Sequence, residues 1–246
     1  VIPVRTLPLV LFCALALSVC CQGKAHAAPK TIYVNDTEIT LPHIVGLDDE
    51  LMNIPDFREY MDHLAPSTNT LQWAYISLKD KQQLLQGIDD GFQSYILVET
   101  EKITERYQLT TSQFHTLQDK LRKQHNTLFT DYKSITEKTL HEQIDRFNSS
   151  YGIKLDVKKP AFQSIGIIAD AEHYTTIAYR LTANVNMNGT VTQIDQAVLI
   201  NVILTANKLL YVYVYEDYRD GKGLKEAISI SQEFVDKVLK TNPNRG

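Results

Sequence analysis

Cysteine is almost missing from this chain. The 246 residues contain three, Cys13, Cys20 and Cys21, and all fall in an N-terminal stretch that reads as a segment to be removed. Beyond it, disulfides, thiolate metal sites and cysteine nucleophiles are excluded together. Basic charge is short as well: 25 Lys and Arg stand against 29 Asp and Glu. Phosphate binding needs a basic footprint, which argues against nucleic acid as a partner. The phosphate cradles G-x-x-x-x-G-K-[ST] and G-x-G-x-x-G are absent. So is the G-x-S-x-G nucleophile elbow, although a triad can still be assembled from distant residues. No Pro/Gly/Ser-rich linker and no internal repeat interrupts the chain.

The apolar run from Leu7 to Val19 follows Arg5, and Ala25-His26-Ala27 offers small residues at −3 and −1. This is the pattern of a secretory signal peptide, residues 1–27, cleaved after Ala27. The run is too short and too early for a transmembrane anchor. A lipoprotein reading stays open, because Leu17-Ser18-Val19-Cys20 approaches a lipobox, with Val19 where Gly or Ala is wanted. Cleavage leaves residues 28–246, a single domain of 219 residues with 23 basic and 29 acidic side chains and a net charge of −6. That length carries a real core. The expected location is the periplasm or the medium.

Past the leader, the strongest pattern runs from Tyr174 to Tyr218. Asn188-Gly189 is a type I′ hairpin signal, since both central residues of that turn need φ > 0. A two-residue turn there sets Met187 opposite Thr190, Leu181 opposite Gln196, Tyr179 opposite Val198 and Ile177 opposite Ile200. Cross-strand partners share a face. One face then carries Ile177, Tyr179, Leu181, Ala183 and Val185 beside Ile194, Val198, Ile200, Val202 and Leu204. A second turn, at Ala206-Asn207 or Asn207-Lys208, adds Leu209, Tyr211, Tyr213 and Tyr215. The other face holds Leu199, Asn201, Ile203, Leu210, Val212 and Val214. Both faces shun water over Leu199–Val214, whereas a sheet packed on one side alternates apolar with polar. The pattern predicts helices on both sides, with Asn184, Asn186 and Asn188 at a solvent-exposed tip.

Thr31–Leu41 reads as a short hairpin around Asn35-Asp36. Pro42–Asn53 is a loop whose acidic run, Asp48-Asp49-Glu50, reads as a solvated turn. Pro55 starts a helix with Phe57, Tyr60, Met61 and Leu64 on one face. Leu71–Leu78, with the single tryptophan Trp73, alternates as a strand; Lys79–Gln86 is helical, Gly87 to Gly91 a turn and Ser94–Thr100 a second strand. Thr111-Ser112 caps a helix carrying Phe114, Leu117 and Leu121, with Lys120, Arg122 and Lys123 on its solvated side. Ser134 and Glu137 have capping-box spacing for another helix, with Leu140, Ile144, Phe147 and Tyr151 as its buried stripe and Gly152 as its stop. Phe162–Ile168, beyond Pro160, reads as a strand. Gly221–Thr241 is a terminal helix directing Leu224, Ile228, Phe234, Val235, Val238 and Leu239 inward.

This order runs from short hairpin, Leu-Pro loop, helix, strand pair and long helix to a meander ending in Leu210-Tyr-Val-Tyr-Val-Tyr215, then a C-terminal helix. It resembles the bacterial exported proteins related to the Mog1/PsbP-like α/β/α group over most of residues 28–246. The resemblance implies an α+β fold, an antiparallel sheet sandwiched between helices, and a largely accessory or binding role without catalysis. It carries over no functional residue.

The sharpest chemical signal is His141-Glu142-Gln143-Ile144-Asp145, an H-E-x-x-H pattern with Asp in place of the second His. Spacing i,i+4 sets His141 and Asp145 on one helical face, where they could share a cation. A zinc hydrolase needs a further ligand, and His173 is the only later histidine. The plainer reading is a surface helix with Glu142 and Arg146 as an ion pair. His115 and Asp119 repeat the spacing. The acids of Glu216-Asp217-Tyr218-Arg219-Asp220 lack the alternating oxygen pattern of a calcium loop, and Arg219 intrudes. For binding, Tyr179, Tyr211, Tyr213 and Tyr215 are the lead, as a packed layer or as a groove for a peptide or small apolar ligand. The expectation is a non-catalytic envelope or secreted protein without cofactor, which holds an envelope protein or such a ligand. The rival is an envelope hydrolase, metal-assisted through His141 and Asp145.

Overall fold

The computed structural model describes residues 29–86, 91–127, 133–152 and 154–244. The expected leader, the stretch that approaches a lipobox and all three cysteines lie outside them, as does most of the turn from Gly87 to Gly91. Strands β1 (Lys30–Val34) and β2 (Thr37–Leu41) form a separate hairpin. There follow β3 (Leu47–Asp48), α1 (Pro55–Asp62), β4 (Asn69–Ser77), α2 (Leu78–Leu85), β5 (Ser94–Glu101), α3 (Thr111–Gln124) and α4 (Lys133–Tyr151). The chain then runs through β6 (Leu155–Ala171), β7 (Tyr174–Met187), β8 (Thr190–Thr205), β9 (Lys208–Asp217) and α5 (Lys222–Thr241). The main sheet has seven strands in the order β3-β4-β5-β9-β8-β7-β6, antiparallel at every pairing. This is an α+β fold built on antiparallel sheets with helices.

The meander has the register its turns dictate. Met187 pairs with Thr190, Tyr179 with Val198 and Ile177 with Ile200. Asn188 and Gly189 both adopt positive φ, as a type I′ turn demands. Of the two places open to the second turn, the chain uses Ala206-Asn207, again with φ positive at both. Ala206 takes a left-handed conformation that favours glycine, and its N–H reaches the Asn242 carbonyl at 3.2 Å.

Both faces are covered where the pattern demands it. Leu199, Ile203, Leu210 and Val212 are fully buried, under Phe234, Val235 and Val238 of α5. On the opposite face Phe114 of α3 packs on Val202, Leu204 and Leu209. Past that cover the sheet runs on alone: Asn184, Asn188 and Thr190–Gln193 are exposed. Among the described residues no helix is long and apolar enough to cross a bilayer.

The helix α5 approaches closely because its inner stripe is small. Gly223, Ala227 and Ser231 are buried, while Leu224, Ile228 and Leu239, expected inward, are half-buried. A β-carbon on Gly223 would stand 1.8 Å from the Asp217 carbonyl oxygen. Ser231 donates to Asn201 Oδ1 at 2.6 Å, Thr176 donates to the same oxygen at 2.7 Å, and Asn201 Nδ2 donates to the Val212 carbonyl at 2.9 Å. Asn201 therefore sits in the apolar layer with its polar atoms satisfied.

Three local readings are corrected. The acidic run is no solvated turn: Asp48 belongs to β3 and binds Lys81, and Asp49 is buried. The last long strand before the meander starts at Leu155, seven residues early, and Pro160 lies within it. Proline, which lacks an N–H, is tolerated there because β6 is an edge strand and its register with β7 shifts between Lys158 and Ala161. The helix α4 already runs at Lys133, before the cap expected at Ser134. Of its stripe only Phe147 is buried, Leu140 and Ile144 being half-buried and Tyr151 exposed.

The C-terminal segment fastens the first hairpin. Asn242 Oδ1 accepts from the Thr40 N–H and Nδ2 donates to the Thr40 carbonyl, both at 2.8 Å. The Asn242 carbonyl accepts the Thr205 hydroxyl. Asn244 bonds the Asn207 N–H and the Leu204 carbonyl.

Candidate functional site

Tyr211, Tyr213 and Tyr215 alternate along β9 and face the same side as Phe114 of α3; all three are half-buried. Tyr179 stands apart from them. It lies two strands away, in line with Tyr215 through Val198, and is 1% exposed. Its hydroxyl donates to the His125 carbonyl at 2.8 Å, tying β7 to the end of α3, and burial pushes it up to about 12.

Two residues of β5 complete the group. Tyr95 pairs with Tyr215 and stacks on it, with ring centroids 4.4 Å apart and planes 10° from parallel. Glu99 pairs with Tyr211, is 2% exposed and accepts a hydrogen bond from Asn69 Nδ2 at 2.7 Å. Burial pushes its carboxyl up to about 7, against the small downward pull of that bond. Burial, and then the Glu99 charge, hold the Tyr213 hydroxyl far above its ordinary range. Glu99 had a signal in the sequence: it is the one acid within an otherwise apolar strand centre, Tyr95–Val98 followed by Glu99.

From Tyr95 the rings continue as a band. Phe92 meets Tyr95 edge-on at 6.1 Å, Tyr60 of α1 meets Phe92 at 6.0 Å, and Phe147 of α4 meets Tyr60 at 5.4 Å. Edge-to-face and stacked contacts of this kind are each worth about 1 kcal/mol beyond area burial. The band sets one stacked pair, Tyr95 and Tyr215, and a run of edge-on rings on the face that also carries the raised carboxyl of Glu99. Rings so arranged can stack on an apolar ligand, and a carboxyl beside them can respond to its charge.

The other sequence candidates lie elsewhere. His141 and Asp145 are exposed on α4. Glu142 does not pair with Arg146: it lies 3.8 Å from Lys138 and accepts from Ser67, while Arg146 Nη2 donates to the Ala65 carbonyl at 2.7 Å. His115 is exposed and Asp119 binds Arg122. Among the described residues no three His, Cys, Asp or Glu side chains converge as a metal ion requires. In the Glu216–Asp220 stretch, Glu216 turns into the protein and accepts the Ser94 hydroxyl. Arg219 binds Glu226 and lies 3.9 Å from Glu216 and 3.6 Å from Asp217. No family model matches the chain, and no curated protein matches it.

Proposed function

We propose that this chain is an exported, non-catalytic binding protein of the Mog1/PsbP-like α/β/α kind, and that residues 1–27 are its signal peptide. The aromatic band on β5 and β9 is its ligand surface, and a small apolar or peptide ligand, alone or as part of an envelope protein, is what it holds. The observation that carries this reading is the row Tyr95, Tyr211, Tyr213 and Tyr215, half-buried rather than sealed, around the buried Glu99 carboxyl. Aromatic side chains at a sheet face pack against each other in any core. A charge-switching carboxyl among them adds nothing to packing and something to recognition. The hydrolase reading through His141 and Asp145 gains no support from two exposed side chains on a helix surface.

Titration with the uncharged fluorophore N-phenyl-1-naphthylamine tests the surface. Saturable enhancement is expected for the native protein. Tyr95→Ala should bind about fivefold more weakly, as loss of one stacked ring contributes about 1 kcal/mol, with the circular dichroism unchanged. A native protein that gives no saturable signal sinks the ligand surface. Export is checked separately at the N-terminus of protein recovered from the producing cells: Ala28 is expected, and an acylated Cys20 moves the chain to the lipoprotein class.

A further inference from the structure

We propose that the turn between β9 and α5, residues 217–223, is a pH-operated joint, closed while the Glu216 carboxyl carries a proton and opened when Glu216 ionises beside Asp80. The joint uses none of the rings assigned to the ligand surface, so it stands or falls independently of that reading.

Two buried carboxyls meet on one serine. Ser94 donates its N–H to Asp80 Oδ2 at 2.9 Å and its hydroxyl to Glu216 Oε1. Asp80 is 2% and Glu216 5% exposed, and Asp80 Oδ1 is buried without a hydrogen-bond partner among the described residues. The groups that face Glu216 come from four parts of the chain: Asp80 from α2, Ser94 from β5, Arg219 from the turn and Glu226 from α5. Arg219 is the one cation in that set. It lies 3.9 Å from Glu216, binds Glu226 and stands 3.6 Å from Asp217, so its charge is shared among three acids. Ionised Glu216 thus adds a negative charge that neither water nor a dedicated partner offsets. Burial pushes its pKa up to about 7; the Ser94 bond and Arg219 pull downward, Glu226 and Asp80 upward.

The turn is the strained wall of this pocket of charge. Arg219, Asp220 and Gly221 have φ of 42°, 55° and 86°, three left-handed residues in succession of which only the last is a glycine. The opposite wall is tied down: Asp80 Oδ2 accepts the N–H groups of Gln93 and Ser94, and the Asp80 N–H donates to the Ser77 hydroxyl. A buried acid that loses its proton favours whichever state gives it water, and the strained turn is the wall that yields. The closed state holds the proton more tightly than an open one, in which Glu216 titrates in the ordinary carboxylate range. Opening is therefore favoured as pH rises out of that range, and the effect levels off above neutrality.

The full chain, recovered from the producing cells and labelled with ¹⁵N, is followed by amide hydrogen exchange from pH 5 to pH 8.5, with each rate expressed relative to the intrinsic rate at that pH. Protection of the amides of Arg219–Glu226 is expected to fall about tenfold from pH 6 to pH 8, the linkage effect of one carboxyl displaced to neutrality. Low urea should leave these rates unchanged while it speeds exchange at the centres of β8 and β9, which marks a local opening. Glu216→Gln keeps an acceptor for Ser94 and removes the charge; its turn should be equally protected at pH 6 and pH 8. Asp220→Gly relieves one left-handed position and should raise protection about fivefold at both pH values, with the fall between them retained. A fall of equal size in Glu216→Gln, protection in the native protein that is flat or rises with pH, or a fall that follows β8 and β9 under urea would each overturn the inference.

Discussion

Glu99 and Glu216 are buried carboxyls on opposite faces of the sheet, and each is pushed up to about 7 by burial. In the unfolded chain both titrate in the ordinary carboxylate range. Between that range and neutrality the folded protein holds more protons than the unfolded one, so stability falls as pH rises and levels off above 7. Below the unfolded range the full stability is present. Each displaced titration is worth on the order of 2 kcal/mol. Glu99→Gln keeps an oxygen for Asn69 and removes the charge. Urea melts should therefore find this variant more stable than the parent at pH 8 by about 1–2 kcal/mol, and equal to it at pH 4. A parent whose stability is flat from pH 4.5 to 7 contradicts the burial described for these groups. Of the two, only Glu99 had a signal in the sequence, as the acid that follows an apolar run. Glu216 shares a sheet face with Val212 and Val214 by strand alternation, yet it also opens a run of charges that reads as a connecting loop; β9 extends through it and buries it beside the Ser94 hydroxyl.

At the scale of elements, the parts governed by local chemistry were legible and those governed by close approach were not. Asn188-Gly189 predicts its turn because positive φ at two successive positions selects those residues, and the register of three strands follows from it. The fully buried Leu199 and Val212 follow from two-sided hydrophobicity. By contrast, Gly223, Ala227 and Ser231 carry no hydrophobic periodicity, yet they are the side of α5 that touches the sheet. Larger residues announced the helix, and Phe234, Val235 and Val238 point inward as expected; only in its first half does the inner face fall on the small residues rather than on Leu224 and Ile228. Likewise, Glu99 and Tyr95 join the tyrosines only through the pairing of β5 with β9, across more than a hundred residues of sequence, which no local pattern encodes. Gly223→Ala should cost about 3 kcal/mol or more, because the added carbon overlaps a backbone oxygen and the helix must shift. Ala227→Gly is the control, at about 1 kcal/mol for the helix interior. Thermal melts of the two variants separate a steric clash from a general loss of helicity.

At the scale of the molecule, the described residues form a seven-stranded antiparallel sheet with helices on both faces and a separate hairpin, and β7 and β8 outrun their cover at one end. Its one long edge, β6, is broken by Pro160 and by register shifts at three places, features that hinder pairing with another chain. The hairpin β1–β2 hydrogen-bonds to no strand of the main sheet. It packs by Ile32, Val34, Ile39 and Leu41 and is fastened by Asn242. Removal of residues 242–246 should therefore expose the amides of Lys30–Leu41 to hydrogen exchange at least about tenfold faster, the effect of losing on the order of 1.4 kcal/mol of local stability. The amides of β8 and β9 should stay slow. Unchanged protection in the hairpin would show that apolar packing alone secures it.

That fastening sets an order in time. Asn242 follows Thr40 by 202 residues, so a growing chain holds the hairpin long before it holds the side chain that fastens it, and in every intermediate between the two the hairpin has apolar packing alone to rely on.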